Sequence, residues 1–268
     1  MAAKDIDSES AVVWNLIKGI IKFPFIFILL IFGKKQFEDL FKPFKEFLQA
    51  LVQPRFSTAM IMINILVYIA MVIFGTDFFL NYVNYPTDMF TIRAYTLVTA
   101  GFIHANIYHL LGNMLFIFIF GRIVEKELGP GKTAVVYFSS MIIANIVSSL
   151  VNGFIFDSSI GGVGASGAIM GLVATAILLK PFSFIYEFLV PLPVILVGWL
   201  AIASDVSGIL SGIDDGVGHF AHLGGFLSIF ITMLLLNSED KEHIKKGILI
   251  NILTLALALA AYYLVLIS

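Results

Sequence analysis

Four side chains hold the chemistry that this chain offers. Ser166 lies in GGVGASGAIMG, His222 in GHFAHLGG, and His109 and Asn113 in GFIHANIYHLLGNM. A serine hydroxyl attacks a carbonyl only when a base takes its proton. Imidazole, with a pKa near 6.5, is the natural base near neutral pH. Ser166 and His222 are therefore a candidate nucleophile and base. His109 and Asn113 are four residues apart and share a helix face. Both donate hydrogen bonds, which in a low-dielectric cavity suits a developing oxyanion, with the Ser166 backbone N–H as a third donor. Each residue also has a plainer reading. Ser166 alone is a helix cap or packing residue, and His109 and Asn113 alone are interhelical glue worth about 0.6 to 2 kcal/mol each.

What favours the chemical reading is where these residues fall along a very apolar chain. Of 268 residues, 59% are hydrophobic and 13% charged, with a mean hydropathy of +0.99. Soluble domains carry about 25% charged residues, so disorder and an ordinary cytosolic enzyme are excluded. The net charge of −2 gives no footprint for nucleic acid. With no cysteine, thiol catalysis, disulfides and thiolate metal sites are excluded. The composition is that of an integral membrane protein.

A spanning helix needs about 20 mostly apolar residues. Seven stretches qualify: 56–74, 103–123, 133–152, 164–179, 187–204, 217–236 and 247–267. The fourth is short and glycine-rich at its outer end, as if it started below the lipid surface among its neighbours. The stretch 12–32 carries Asn15, Lys18 and Lys22 on one face and Pro24 in its middle. It reads as an interfacial or shallowly inserted helix rather than a span. In 37–51, Phe37, Leu40, Phe41, Phe44, Phe47, Leu48 and Leu51 recur at helical spacing around Lys42, Lys45 and Glu46. That pattern predicts a helix lying in the membrane surface.

Lysine and arginine placement sets the orientation. Lys34, Lys35, Lys42, Lys45, Arg55, Arg122, Lys126, Lys132, Lys180, Lys241, Lys245 and Lys246 fall on one side of the seven spans. The other side has Arg93, with Asp77, Asp88, Asp157, Asp205, Asp214 and Asp215. The first side is cytoplasmic, with the N-terminus, and the acidic loops face out. Spans two, four and six then all run inward, and each carries its polar cluster near its outer end. Three clusters distant in sequence reach one depth, as a single site open to the outer aqueous phase requires. Glycines explain how the helices meet: Gly167 and Gly171 form a GxxxG, and Ala221 and Gly225 a small-xxx-small pair. Such contact would bring Ser166 Oγ within hydrogen-bond range of His222. His104 is as consistent with structure as with organising His109; His219 reads as an interfacial histidine and His243 as solvated. All the outer aspartates are assigned to loops, so no acid is expected to orient the base. The expected machinery is a Ser–His dyad and not a triad. GASGA also lacks the GxSxG pattern and its strand-to-helix elbow.

Together, HANIYHLLGNMLFIFIFG, EKELG, GGVGASG and AHLGG resemble the rhomboid family of intramembrane serine proteases, over about residues 56–236. The resemblance implies an all-α, polytopic membrane helical bundle: a rhomboid-like six-helix core plus one C-terminal transmembrane helix. The domains expected are 1–55, a cytoplasmic or interfacial amphipathic region; 56–236, the core; and 237–268, a cytoplasmic loop and the seventh helix. By resemblance Ser166 is the nucleophile, His222 the general base, His109 and Asn113 the oxyanion helpers, and Gly164 the glycine of GxSG. Gly225 matches the small residue one turn below the histidine. The first outer loop, 75–102, and the fifth span are gating candidates by analogy. Two positions depart from the family pattern. Met170 stands where a tyrosine stacks on the imidazole, and Ile92–Arg93 with Tyr95 where a Trp–Arg pair is common. The implied function is a serine endopeptidase of the cell membrane. It cleaves single-pass transmembrane protein substrates near the extracytoplasmic face, with the lipid bilayer as its other partner and no cofactor or metal. The first rival is a catalytically weak or inactive rhomboid-like protein that binds transmembrane helices. The second is a metalloprotein or transporter built on His104, His109, His219 and His222, which lacks HExxH, thiolates and an intramembrane carboxylate in this reading. Nothing in the sequence sets the oligomeric state.

Overall fold

The computed structural model describes residues 18–19, 21–30, 32, 36–38, 41–45, 54–185, 191–212 and 215–267. The chain separates into two compact units, Met1–Thr58 and Ala59–Ser268. In the first, helix α1 covers Ile21–Leu30. At 1.5 Å per residue it is about 15 Å long, half of a hydrocarbon core. Residues 37–38 and 41–45 are helical, and Phe37, Phe41 and Phe44 are exposed. Of the stretches read as surface helices, 12–17, 20, 31, 39–40 and 46–51 lie outside the described residues.

The second unit is a bundle of apolar helices. Helix α2 (Arg55–Phe74) leads to an outer loop of short 3-10 turns over Thr76–Tyr82, Asp88–Phe90 and Ile92–Tyr95. Helix α3 (Ile107–Phe116) passes through a π-turn, Ile117–Gly121, into α4 (Arg122–Leu150). Helices α5 (Ser166–Leu179), α6 (Val194–Ser211), α7 (His219–Leu227) and α8 (Ser238–Ile267) follow. The loop before α6 carries a two-stranded antiparallel pair, β1 (Phe184–Ile185) with β2 (Leu192–Pro193).

Among the described residues, four helical stretches are long and apolar enough to cross a membrane: Arg55–Phe74, Ile107–Ile155, Val194–Ser211 and Ser238–Leu264. Ser166–Leu179 and His219–Leu235 are apolar but shorter. The polytopic helical bundle is therefore present, while the six-plus-one count is not reached by helix length alone. Ile107–Ile155 has 49 residues, about 74 Å as one rod, far beyond a bilayer. It is interrupted at Gly129, where φ is 79° and ψ 166°, before Pro130. That junction falls in the predicted loop at 124–132.

α5 is the centre of the bundle. Every residue from Gly167 to Leu179 is buried, and α4, α6, α7 and α8 all pack on it. A helix apolar on every face belongs inside a bundle and needs no direct lipid contact. In lipid no hydrophobic force drives helices together, so close backbone approach and polar ties must hold them. A Cβ on Gly225 of α7 would clash with the Gly167 carbonyl oxygen of α5. One on Gly167 would lie 2.5 Å from the Ala144 methyl of α4 and 3.7 Å from the Ala221 carbonyl. Ser140 of α4 bonds Ser228 just after α7 at 2.6 Å, and Asn251 Nδ2 of α8 donates to the Ile177 carbonyl at 2.9 Å.

Candidate active site

The entrance to α5 is tied to the loops around it. Gly164 N–H donates to the Ala100 carbonyl (2.9 Å), and Asn84 and Gly162 exchange backbone bonds at 3.2 and 2.8 Å. Asn84 Nδ2 donates to Ser149 Oγ of α4 at 3.0 Å. In the outer loop Arg93 Nε donates to the buried Asp88 carboxylate at 3.0 Å, and its guanidinium lies 5.8 Å from the Tyr85 ring centroid. Asp88 thus raises the Arg93 pKa. In place of a Trp–Arg pair, this loop uses an Asp–Arg–Tyr cluster.

Gly164 has φ +113°, a conformation that side-chain-bearing residues rarely adopt. A Cβ there would lie 2.6 Å from His109 Cε1 and 3.5 Å from Asn113 Nδ2. His109 and Asn113 of α3 thus converge on the residue two before Ser166. Asn106 orients them: as N-cap, its side chain accepts the His109 N–H at 2.9 Å. Asn113 is buried, and its Nδ2 has no hydrogen-bond partner among the described residues. Such orphan donors are rare and costly. His104 is fully buried, its ring centroid 5.1 Å from that of His109 in an edge-on arrangement. Both its ring nitrogens also lack partners among the described residues.

Ser166 is the first residue of α5 and half-buried. Its N–H has no intrahelical acceptor and sits at the positive end of the helix dipole. Gly167 faces Ala221, so the residues next to Ser166 and His222 are in contact. Among the described residues no hydrogen bond joins Ser166 to His222, and Met170 is buried at 6% exposure.

The sequence places Asp205 in an outer loop and predicts no intramembrane carboxylate; the structure overturns both. Asp205 lies inside α6, buried at 5% exposure. The apolar run was ended at residue 204, but Val206, Ile209 and Leu210 carry the helix on to Ser211. Asp205 is therefore about 9 Å below the end of α6. Its Oδ1 contacts His222 Nδ1 at 2.8 Å and His219 Nδ1 at 2.8 Å. His219 is thus tied into this cluster and is only 11% exposed in its side chain. Its ring fills the space that a Cβ on Gly208 would occupy. His219 Nε2 lies 3.3 Å from Asp215 Oδ1. The Val217 N–H and His219 together hold the Asp215 carboxyl below the ordinary carboxylate range. By proximity Asp205, His219 and His222 could hold a metal ion, their ligand atoms lying within 4.8 Å of one another. The two 2.8 Å contacts on one oxygen are hydrogen-bond lengths.

The Rhomboid domain family model matches residues 92–239, which hold α3, α5, α6 and α7. Rhomboid-like protein 11, chloroplastic, of Arabidopsis thaliana is 35% identical over 191 residues, covering 66% of this chain and 64% of that protein. RHOMBOID-like protein 12, mitochondrial, of the same plant is 26% identical over 196 residues, covering 68% and 58%. Rhomboid protease GlpG of Serratia proteamaculans (strain 568) is 26% identical over 182 residues, covering 67% and 61%. The chain spans about three-fifths of the length of these relatives.

Proposed function

The chain belongs to the rhomboid family, and from that premise we propose that it is an intramembrane serine endopeptidase acting on single-pass transmembrane proteins. The observation that carries this reading is the meeting of α5 and α7 at Gly167 and Ala221, one residue from the nucleophile and the base. His222 takes the Ser166 proton as Oγ attacks the scissile carbonyl. Asn113 Nδ2, His109 and the Ser166 N–H receive the oxyanion. His222 then protonates the leaving amine, and water from the outer face completes deacylation. The unpartnered Asn113 donor is the group that such a mechanism would leave idle at rest.

In this reading six helices form the core, and α8 is the seventh span. Residues 1–55 are the cytoplasmic or interfacial region, 56–236 the core, and 237–268 the last loop and span. α5 and α7 cross within the shelter of α4, α6 and α8. The N-terminus is cytoplasmic and the site opens to the extracytoplasmic side of a cell membrane. The substrate enters laterally and unwinds near small or helix-breaking residues.

Purified protein in proteoliposomes, incubated with a single-pass substrate, tests this directly. The wild type cleaves, while S166A and H222A each lose about 10³-fold or more in rate. A wild type no faster than S166A ends the protease reading. The rival, a rhomboid-like protein that binds transmembrane helices without cutting them, has the unformed Ser166–His222 hydrogen bond in its favour. Retained helix binding without cleavage would select it.

A further inference from the structure

Asp205 is a carboxylate buried within an apolar helix, a placement that is costly unless its charge is met. It is met by two imidazoles on one oxygen, His222 Nδ1 and His219 Nδ1, each at 2.8 Å. We infer that Asp205 is a positioning residue for the reaction, which converts the Ser166–His222 dyad into a Ser–His–Asp arrangement. This rests on the protease reading above.

A carboxylate only accepts hydrogen bonds, so both Nδ1 atoms must carry protons. That fixes His222 in the tautomer whose Nε2 holds the lone pair, the nitrogen a base must offer to Ser166 Oγ. When the proton arrives on Nε2, the imidazolium forms against a fixed negative charge. His219 does a different task. Its second bond to Oδ1 holds the carboxylate in place, and its ring packs against Gly208 on the same helix. Removing Asp205 leaves His222 free to turn and to take either tautomer.

The groups that act on His222 are Asp205 on α6, His219 on its own helix at 6.4 Å between ring centroids, and His109 on α3. Asp215 acts through His219. Of these, Asp205 is the acid bonded to His222.

The test compares the wild type with D205N and S166A in the same proteoliposome assay, with 15N NMR of the histidine rings. D205N is expected to lower kcat by at least about tenfold with KM little changed, and to release His222 from its Nδ1–H tautomer. A merely structural Asp205 would lower the stability of D205N and leave the kcat of the folded protein and the His222 tautomer as in the wild type. Should D205N not fold, 15N NMR of the wild-type histidine rings at neutral pH decides: His222 protonated on Nδ1 supports the assignment, and protonation on Nε2 overturns it. D205N with wild-type kcat also overturns it, while the dyad stands. A wild type no faster than S166A removes the reaction that Asp205 would serve, so both readings fall together.

Discussion

At Asn113 the proposed oxyanion role and stability pull in opposite directions. Its Nδ2 is buried without a partner, and an unmet buried donor costs roughly 1–3 kcal/mol. Asn113→Leu removes the orphan at similar volume. The expected result is a melting temperature that does not fall, with kcat lower by about 10- to 10²-fold as an oxyanion donor is lost. Coupled thermal melts and cleavage assays check this, and a destabilised N113L of full activity would contradict it. Gly164 makes the complementary case. Its φ of +113° and its fit against His109 leave no room for a methyl group. Gly164→Ala is expected to cost roughly 1–3 kcal/mol of backbone strain and to displace His109, with activity falling at least tenfold. The residue types at this site were legible in the sequence, because Ser166, His109, Asn113 and His222 are polar groups in apolar runs. Asp205 was not, because hydropathy ends a span at the first charge. The imidazoles that meet this charge come from α7 and leave no mark on the α6 stretch.

The elements were legible where apolar length decides them and less so where packing does. α2 follows directly from its apolar run, whereas α8 begins at Ser238, nine residues before its run at 247–267 and within the stretch read as a loop. α5 is only 14 residues long, and it is buried from Gly167 to Leu179. Its glycines carried the better signal, since Gly167 and Gly225 are where backbones touch. Substituting Gly225 by Ala would set a Cβ against the Gly167 carbonyl oxygen, which backbone atoms cannot avoid by changing rotamer. G225A is expected to lower stability by about 2 kcal/mol or more and to abolish cleavage by parting α5 from α7. Gly112, on the exposed face of α3, has nothing within 4 Å of its Cβ position. G112A is expected to be neutral or stabilising by up to about 1 kcal/mol, with unchanged activity. If the two variants melt alike, the close approach of α5 and α7 is not what holds the bundle.

For the whole molecule, the ion pairs divide the bundle into two ends. Lys132 pairs with Asp240 at 2.5 Å and Lys180 with Glu127 at 3.0 Å, joining three loops that the sequence assigns to the cytoplasm. Asn84 is bonded to Gly162, and Gly164 to Ala100, at the opposite end of α5, about 21 Å away for 14 residues. The chain has no cysteine, so single cysteines report topology against a clean background. Ser159→Cys and Asp215→Cys are expected to react with a membrane-impermeant thiol reagent added outside intact cells. Phe182→Cys and Lys245→Cys are expected to react only after permeabilisation. Phe182 is the deciding position. It is 60% exposed and lies between α5 and α6. If α5 crosses, residue 182 faces the cytoplasm although α5 alone is shorter than a hydrocarbon core. If α5 merely dips into the bundle and returns, residue 182 labels from outside beside residue 159. The six-helix core would then be lost, and the shared outward depth of Ser166 and His222 would need another origin.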